Sequence, residues 1–230
     1  MWNDLGFPLV IRIKQIVFIV FFLCFSSLFS IYSQAQLTNV EKGTYDIYFM
    51  DEKVGYEEYV WQADETGYTL KVRGRMTKPV PLDLDELTIR INRSFIPESF
   101  YFKGSVSGMD QEISSKIQEG MVENKVQVAG QESAIVEKVR RDAFLLPNPI
   151  FSPYMILTRK FRCGAGEETE LSAYIIPQME TLFTLQNDEE NPCLLVMEIS
   201  GTKIELFTDE AGNLNSLSIP SQRLRVVLNK

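Results

Sequence analysis

The sequence predicts a mainly β protein: a curved antiparallel meander sheet, an open half-barrel, with one short helix and a signal peptide in front. Three observations carry this. Apolar and polar residues alternate in stretches such as Tyr68-Thr69-Leu70-Lys71-Val72-Arg73, tight-turn residues recur between such stretches, and the first 35 residues are an apolar leader. A period of two is what a strand with one buried face requires. Residues 1–35 therefore read as a signal peptide and 36–230 as a single antiparallel β domain.

The leader has the three parts of a secretory signal. Arg12 and Lys14 precede the apolar run Ile16-Val17-Phe18-Ile19-Val20-Phe21-Phe22-Leu23, and Ser33-Gln34-Ala35 is a small-x-small triplet suited to signal peptidase. The run touches the lower limit for spanning a bilayer, so an uncleaved anchor is the alternative. Ser26, Ser27, Ser30 and the triplet favour cleavage after Ala35. Cys24 lacks the small neighbours of a lipid-attachment signal and leaves with the leader. The expected location is the periplasm or the exterior, with membrane contact only through an uncleaved leader.

The elements follow in order. Tyr45 to Met50 is a strand, turned at Asp51-Glu52-Lys53 into Val54 to Trp61, and Asp64-Glu65-Thr66-Gly67 turns that into Tyr68 to Arg73. Leu87 to Asn92 repeats the alternation. Ser107-Gly108-Met109-Asp110 separates Phe100-Tyr101-Phe102 from Glu112 to Ile117, and Glu119-Gly120 leads into Val122 to Val128. Near the end, Gly201 divides Leu194–Ile199 from Thr202–Phe207, Asp209 to Asn213 turns into Leu214–Ile219, and Arg223–Leu228 is the last strand. Leu145-Leu146-Pro147-Asn148-Pro149 breaks the rhythm, since two prolines remove donors and fix the backbone. Ser152 as N-cap and Pro153 at the first position then start a helix from Tyr154 to Phe161, ended at Gly164. Its Tyr154, Ile156, Leu157 and Phe161 are expected to cover the sheet, or alternatively to lid a cavity.

Composition narrows the chemistry. The chain holds 23 basic and 31 acidic residues; removing Arg12, Lys14 and Asp4 leaves 21 against 30, a net charge of −9. That disfavours nucleic acid and anionic membrane surfaces as partners. There is no histidine, which excludes Ser-His-Asp and Cys-His nucleophilic machinery and histidine-ligated zinc. No cofactor is expected. Cys163 and Cys193 survive cleavage as an even pair, read as one disulfide in an oxidising compartment, with two separate buried thiols as the alternative.

Two groupings are candidate sites. Asp83, Asp85 and Glu86 gather carboxylates suited to calcium or acid/base work, but without calcium-loop spacing they read better as a solvated turn. The aromatics of the first half, with Tyr48, Tyr56, Trp61, Phe100 and Phe102 as candidate ligand-binding residues, either line a cavity in a curled sheet or simply fill its core. Asn92-Arg93-Ser94 fits a glycosylation sequon that matters only in a eukaryotic secretory pathway.

The strand–turn–strand from Tyr45 to Tyr59 with Gly55, the Leu146-Pro147-Asn148-Pro149 segment with its helix, and Ile204-Glu205-Leu206-Phe207 followed by Gly212 and Pro220 resemble a domain-of-unknown-function family of exported bacterial β proteins. Such proteins are similar in outline to the open half-barrels of periplasmic lipoprotein carriers. The resemblance implies a fold and a compartment and carries no catalytic residues. The expected function is a non-enzymatic envelope binding or carrier protein for an apolar ligand, such as a lipid, or for a partner segment. An envelope assembly factor without a cavity, or a carboxylate- or calcium-dependent hydrolase, is the alternative.

Overall fold

The computed structural model describes residues 40–163, 166 and 168–229. The leader with Cys24 and its cleavage triplet, and the helix stop at Gly164, lie outside the described residues.

The first half of the domain forms eight strands: β1 (Val40–Phe49), β2 (Glu52–Ala63), β3 (Gly67–Met76), β4 (Leu82–Asn92), β5 (Pro97–Val106), β6 (Met109–Gln118), β7 (Met121–Val128) and β8 (Gln131–Lys138). A two-residue strand β9 (Phe144–Leu145) and helix α1 (Tyr154–Phe161) follow. The second half forms β10 (Thr169–Ile175), β11 (Met179–Asn187), β12 (Leu194–Ile199), β13 (Thr202–Thr208), β14 (Leu214–Ile219) and β15 (Leu224–Asn229). All belong to one sheet, ordered β8 to β1, then β15 down to β9. Every pairing is antiparallel except β9 with β10.

Two meander wings thus meet at β1 and β15, where Thr44 pairs with Asn229 and Phe49 with Leu224. Among the described residues the sheet edges are β8 and β9, which are consecutive in the chain. Only residues 139–143 join them, so the edges lie within about 20 Å of each other at the chain's extended reach. The sheet must curl, yet β8 and β9 are not paired and it stays open.

Local chemistry explains the tight corners. Met50-Asp51, Ser107-Gly108, Glu119-Gly120, Ala129-Gly130 and Ser200-Gly201 all place two successive residues at positive φ. This is the two-residue hairpin turn whose twist matches that of its strands. The first turn is therefore Met50-Asp51 rather than the predicted Asp51-Glu52-Lys53.

The inward face of the sheet and the segment crossing it make one core, including Tyr45, Ile47, Leu70, Leu87, Ile89, Leu185, Met197, Leu206 and Val226. Helix α1 is enclosed on more than one side. Met155, Ile156, Leu157 and Thr158 are four successive buried residues, more than a helix covering a flat sheet would bury.

A buried polar bridge ties the wings together. The Ser115 hydroxyl donates to Asn124 Oδ1 (2.6 Å), the Asn124 amide donates to the Tyr174 hydroxyl (2.7 Å), and Tyr174 donates to Glu137. It links β6, β7 and β8 to β10 at the opposite end of the sheet order. Desolvation, with the Glu137 hydrogen bond, raises the Tyr174 phenol well above its ordinary value.

Tyr174→Phe strands the buried Asn124 amide and is expected to cost about 1–3 kcal/mol. Urea denaturation should show a lower midpoint with an unchanged m-value; an unchanged midpoint would show that the bridge contributes nothing.

Candidate functional site

The site is built on a carboxylate where the strand pattern calls for an apolar residue. In β2 the inward positions are Val54, Glu57, Tyr59 and Trp61. The odd spacing from 54 to 57 follows from a bulge, since Ile47 faces Gly55 while Tyr48 faces Lys53. The extra residue re-phases the strand and turns Glu57 inward. Gly74 lies opposite on β3, and a Cβ there would sit 2.4 Å from the Tyr56 carbonyl oxygen and 3.3 Å from Glu57 Cγ. Glycine leaves the room that the carboxylate occupies.

Glu57 is 1% exposed, and three groups at the start of α1 donate to it. The Phe151 N–H reaches Oε1 at 2.9 Å and the Ser152 N–H reaches Oε2 at 2.7 Å, while the Ser152 hydroxyl also donates to Oε2. A helix start needs acceptors for its free N–H groups. Ser152 was expected to supply one as N-cap. Instead Pro153 is the cap residue without a side-chain bond, and the Ser152 hydroxyl turns to Glu57. The helix's own first N–H groups, of Tyr154, Met155 and Ile156, bond the carbonyls of Phe151, Ser152 and Pro153, while Glu57, about 95 residues away in sequence, holds the two N–H groups of the turn that leads into the helix. Burial raises the Glu57 pKa, against the lowering effect of its hydrogen bonds.

From this anchor α1 runs toward the end of the sheet where β1 begins. There the Arg159 guanidinium stacks over Trp61, 4.7 Å from the ring centroid, and pairs with Glu41 at 2.6 Å. The Tyr59 hydroxyl donates to the same carboxylate at 3.1 Å, and Tyr45 stacks on Tyr59 and donates to the Leu214 carbonyl. The Thr158 hydroxyl donates to the Gly212 carbonyl at 2.8 Å. Gly212, at φ +86°, lets the β13–β14 turn lie against the helix backbone, where a Cβ would be 2.7 Å from Thr158 O. Cys163 and Cys193 are bonded here, joining the end of α1 to the β11–β12 connection.

The other end stays open. The β3–β4, β10–β11, β12–β13 and β14–β15 connections all fall there, because each joins the later end of an odd or even strand to its antiparallel neighbour. Between them and the Pro-rich segment lies a cavity of about 340 Å³. Met76, Ile204 and Leu224 form its sheet side, Ile150 and Phe151 its inner wall, and Pro79 and Val80 stand at the β3–β4 connection. Such a volume falls at the lower end of small-molecule sites. Among the described residues no Asp, Glu, Lys or Arg lines it. Its polar groups are Tyr154, Asn148, Ser200, Thr202 and Gln222. Burial alone pushes the Tyr154 phenol up to about 12, with neither a hydrogen bond nor a charge contributing.

The five aromatic candidates do not share one surface. Trp61, Phe100 and Phe102 are buried on the inward face, whereas Tyr56 is exposed and Tyr48 lies partly exposed against Arg225. None of the five lines the cavity. Asp83, Asp85 and Glu86 sit within β4, not in a turn; a bulge at Asp85 interrupts the pairing, since Leu84 faces Gly104 and Glu86 faces Lys103. Asp83 pairs with Arg75 at 2.9 Å and Glu86 accepts from Thr88. Among the described residues no three His, Cys, Asp or Glu side chains gather as a metal site. Sequence reasoning missed Glu57 and Tyr154 as site residues. Glu57 had a readable signal, since it lies in phase with Tyr59 and Trp61 on an otherwise apolar strand face.

No family model and no curated protein matches the chain. Among solved structures, a DUF1089 family protein from Pseudomonas aeruginosa is similar at 14% identity, covering 83% of this chain and 96% of that chain, with a TM-score of 0.41. That likeness is too distant to assign a family.

Removing the Glu57 carboxylate leaves the buried Phe151 and Ser152 N–H groups without acceptors, so Glu57→Ala is expected to cost about 2–4 kcal/mol. The sign of the pH effect follows from the raised folded-state pKa. The stability contributed by holding the proton is full below the unfolded value near 4.5 and is lost as pH rises through the folded value. The stability of wild type relative to Glu57→Gln should therefore fall between pH 4 and pH 8 in chemical denaturation, and a rise would contradict this assignment.

Proposed function

We propose that this chain is a non-enzymatic binding protein of the bacterial envelope, which takes an apolar ligand into the cavity beneath the Pro-rich segment. The observation that carries the reading is that cavity, about 340 Å³ of mostly apolar space at the open end of a curled sheet. Helix α1 and its Arg159–Trp61 contact occupy the opposite end, which favours ligand entry at the open end. Apolar walls with a few oriented polar groups are the general form of small-molecule sites. Tyr154 supplies a hydroxyl in a water-poor setting, where a hydrogen bond to a ligand oxygen counts for more than in water. The leader of residues 1–35 supports export, and the absence of histidine in the whole sequence supports binding over hydrolysis.

The test uses the protein expressed from its full sequence and N-phenyl-1-naphthylamine, an uncharged fluorescent probe. Probe fluorescence should rise on binding, and Val80→Trp, which places a large ring at the β3–β4 wall, should weaken binding about tenfold or more with little change in melting temperature. Full probe binding by a well-folded Val80→Trp variant would remove the cavity as the site.

A further inference from the structure

We infer that the cavity selects an uncharged amphiphile, with a hydroxyl or ester head, over the corresponding anion. The inference rests on the binding reading above and assigns the ligand class.

Charged residues number 54 of 230 in this chain, yet among the described residues none lines the cavity. A carboxylate or phosphate entering it would give up hydration and meet no cation, which is costly in an apolar setting. One feature beside the cavity is of a kind that ordinarily holds anions, namely the start of α1. Free N–H groups and the helix dipole converge there. The donors that face the core there are the N–H groups of Phe151, which lines the cavity, and Ser152, in the turn just before the helix, and both already point at Glu57. The protein's own carboxylate occupies the position that a ligand anion would take. When ionised it also places a negative charge behind the cavity's inner wall.

The same arrangement gives a cation little to hold. Both Glu57 oxygens already accept hydrogen bonds, three in all, and no other carboxylate reaches the lining. The polar groups that remain are neutral: the Tyr154 phenol, the Asn148 and Gln222 amides, and the Ser200 and Thr202 hydroxyls. Amides and hydroxyls donate and accept, matching hydroxyl and ester oxygens without a charge on either side. The chain's net charge of −8 adds a field that disfavours approaching anions.

The experiment compares 1-monolauroylglycerol with laurate, which share one acyl chain, as competitors of N-phenyl-1-naphthylamine at pH 8 below their micelle concentrations. The glycerol ester should displace the probe at about tenfold lower concentration than laurate. In Glu57→Gln the laurate affinity should rise several-fold relative to the ester's. Equal or tighter laurate binding by the wild type overturns the inference and leaves the cavity reading standing. Probe uptake that neither competitor reverses overturns both, because the probe then sits outside the cavity. The wild-type comparison does not depend on the variant's folding. A folded Glu57→Gln protein with unchanged laurate affinity removes Glu57 as the cause of selection.

Discussion

A single buried carboxylate determines where everything on the concave side of this sheet sits. Glu57 accepts from Phe151 N–H, Ser152 N–H and the Ser152 hydroxyl, and so holds the start of α1 against the middle of β2. A charged group in a core is tolerable only when its lone pairs are matched by donors. A buried turn leading into a helix is tolerable only when its N–H groups find acceptors. Each satisfies the other's requirement, so neither position can change alone without leaving a buried orphan. The bulge at Val54 and the missing side chain at Gly74 are the backbone conditions of that contact.

Fixing the start of the helix divides the concave space into unequal parts. Toward the beginning of β1 the space is filled: Arg159 lies on Trp61 and pairs with Glu41, Tyr45 stacks on Tyr59, and Thr158 reaches the Gly212 carbonyl. Toward the β14–β15 connection the chain before the helix carries Pro147 and Pro149, which cannot continue a sheet and leave the backbone standing off it. The cavity is the space this leaves. Its inner wall, Ile150 and Phe151, adjoins the contact that anchors the helix.

Much of this architecture is legible in the chain, and the exceptions have physical reasons. Strands with one buried face announce themselves, as in Tyr68 to Arg73 and Leu87 to Asn92. β8 does not, because it is a sheet edge exposed on nearly every residue and carries no alternation. β10 and β11 mix buried and exposed apolar residues, with Leu182 exposed beside buried Phe183, so their period is blurred. The aromatics that suggest a ligand surface are divided between the two faces by a period that places Tyr48 and Tyr56 outside and Trp61 inside. The cavity is built from connections distant in sequence, and no local pattern encodes their meeting.

The order of strands shows why one contact has such reach. The described chain starts at the centre of the sheet, moves outward strand by strand to β8, reaches the other edge at β9, crosses the concave face through residues 146–161, and returns from β10 to the centre at β15. Joining β1 to β15 closes a loop of well over a hundred residues, a non-local pairing whose entropy cost comes before its contacts form. The crossing segment meets both wings earlier in sequence terms. Glu57, in the first wing, grips its start, and Gly212, in the second, grips its end through Thr158. The disulfide adds a covalent link from the helix end to the second wing. A short helix held at one end by each wing ties the two wings together across the concave face. Curvature here is therefore imposed by the crossing, with the twist of the strands supplying its direction.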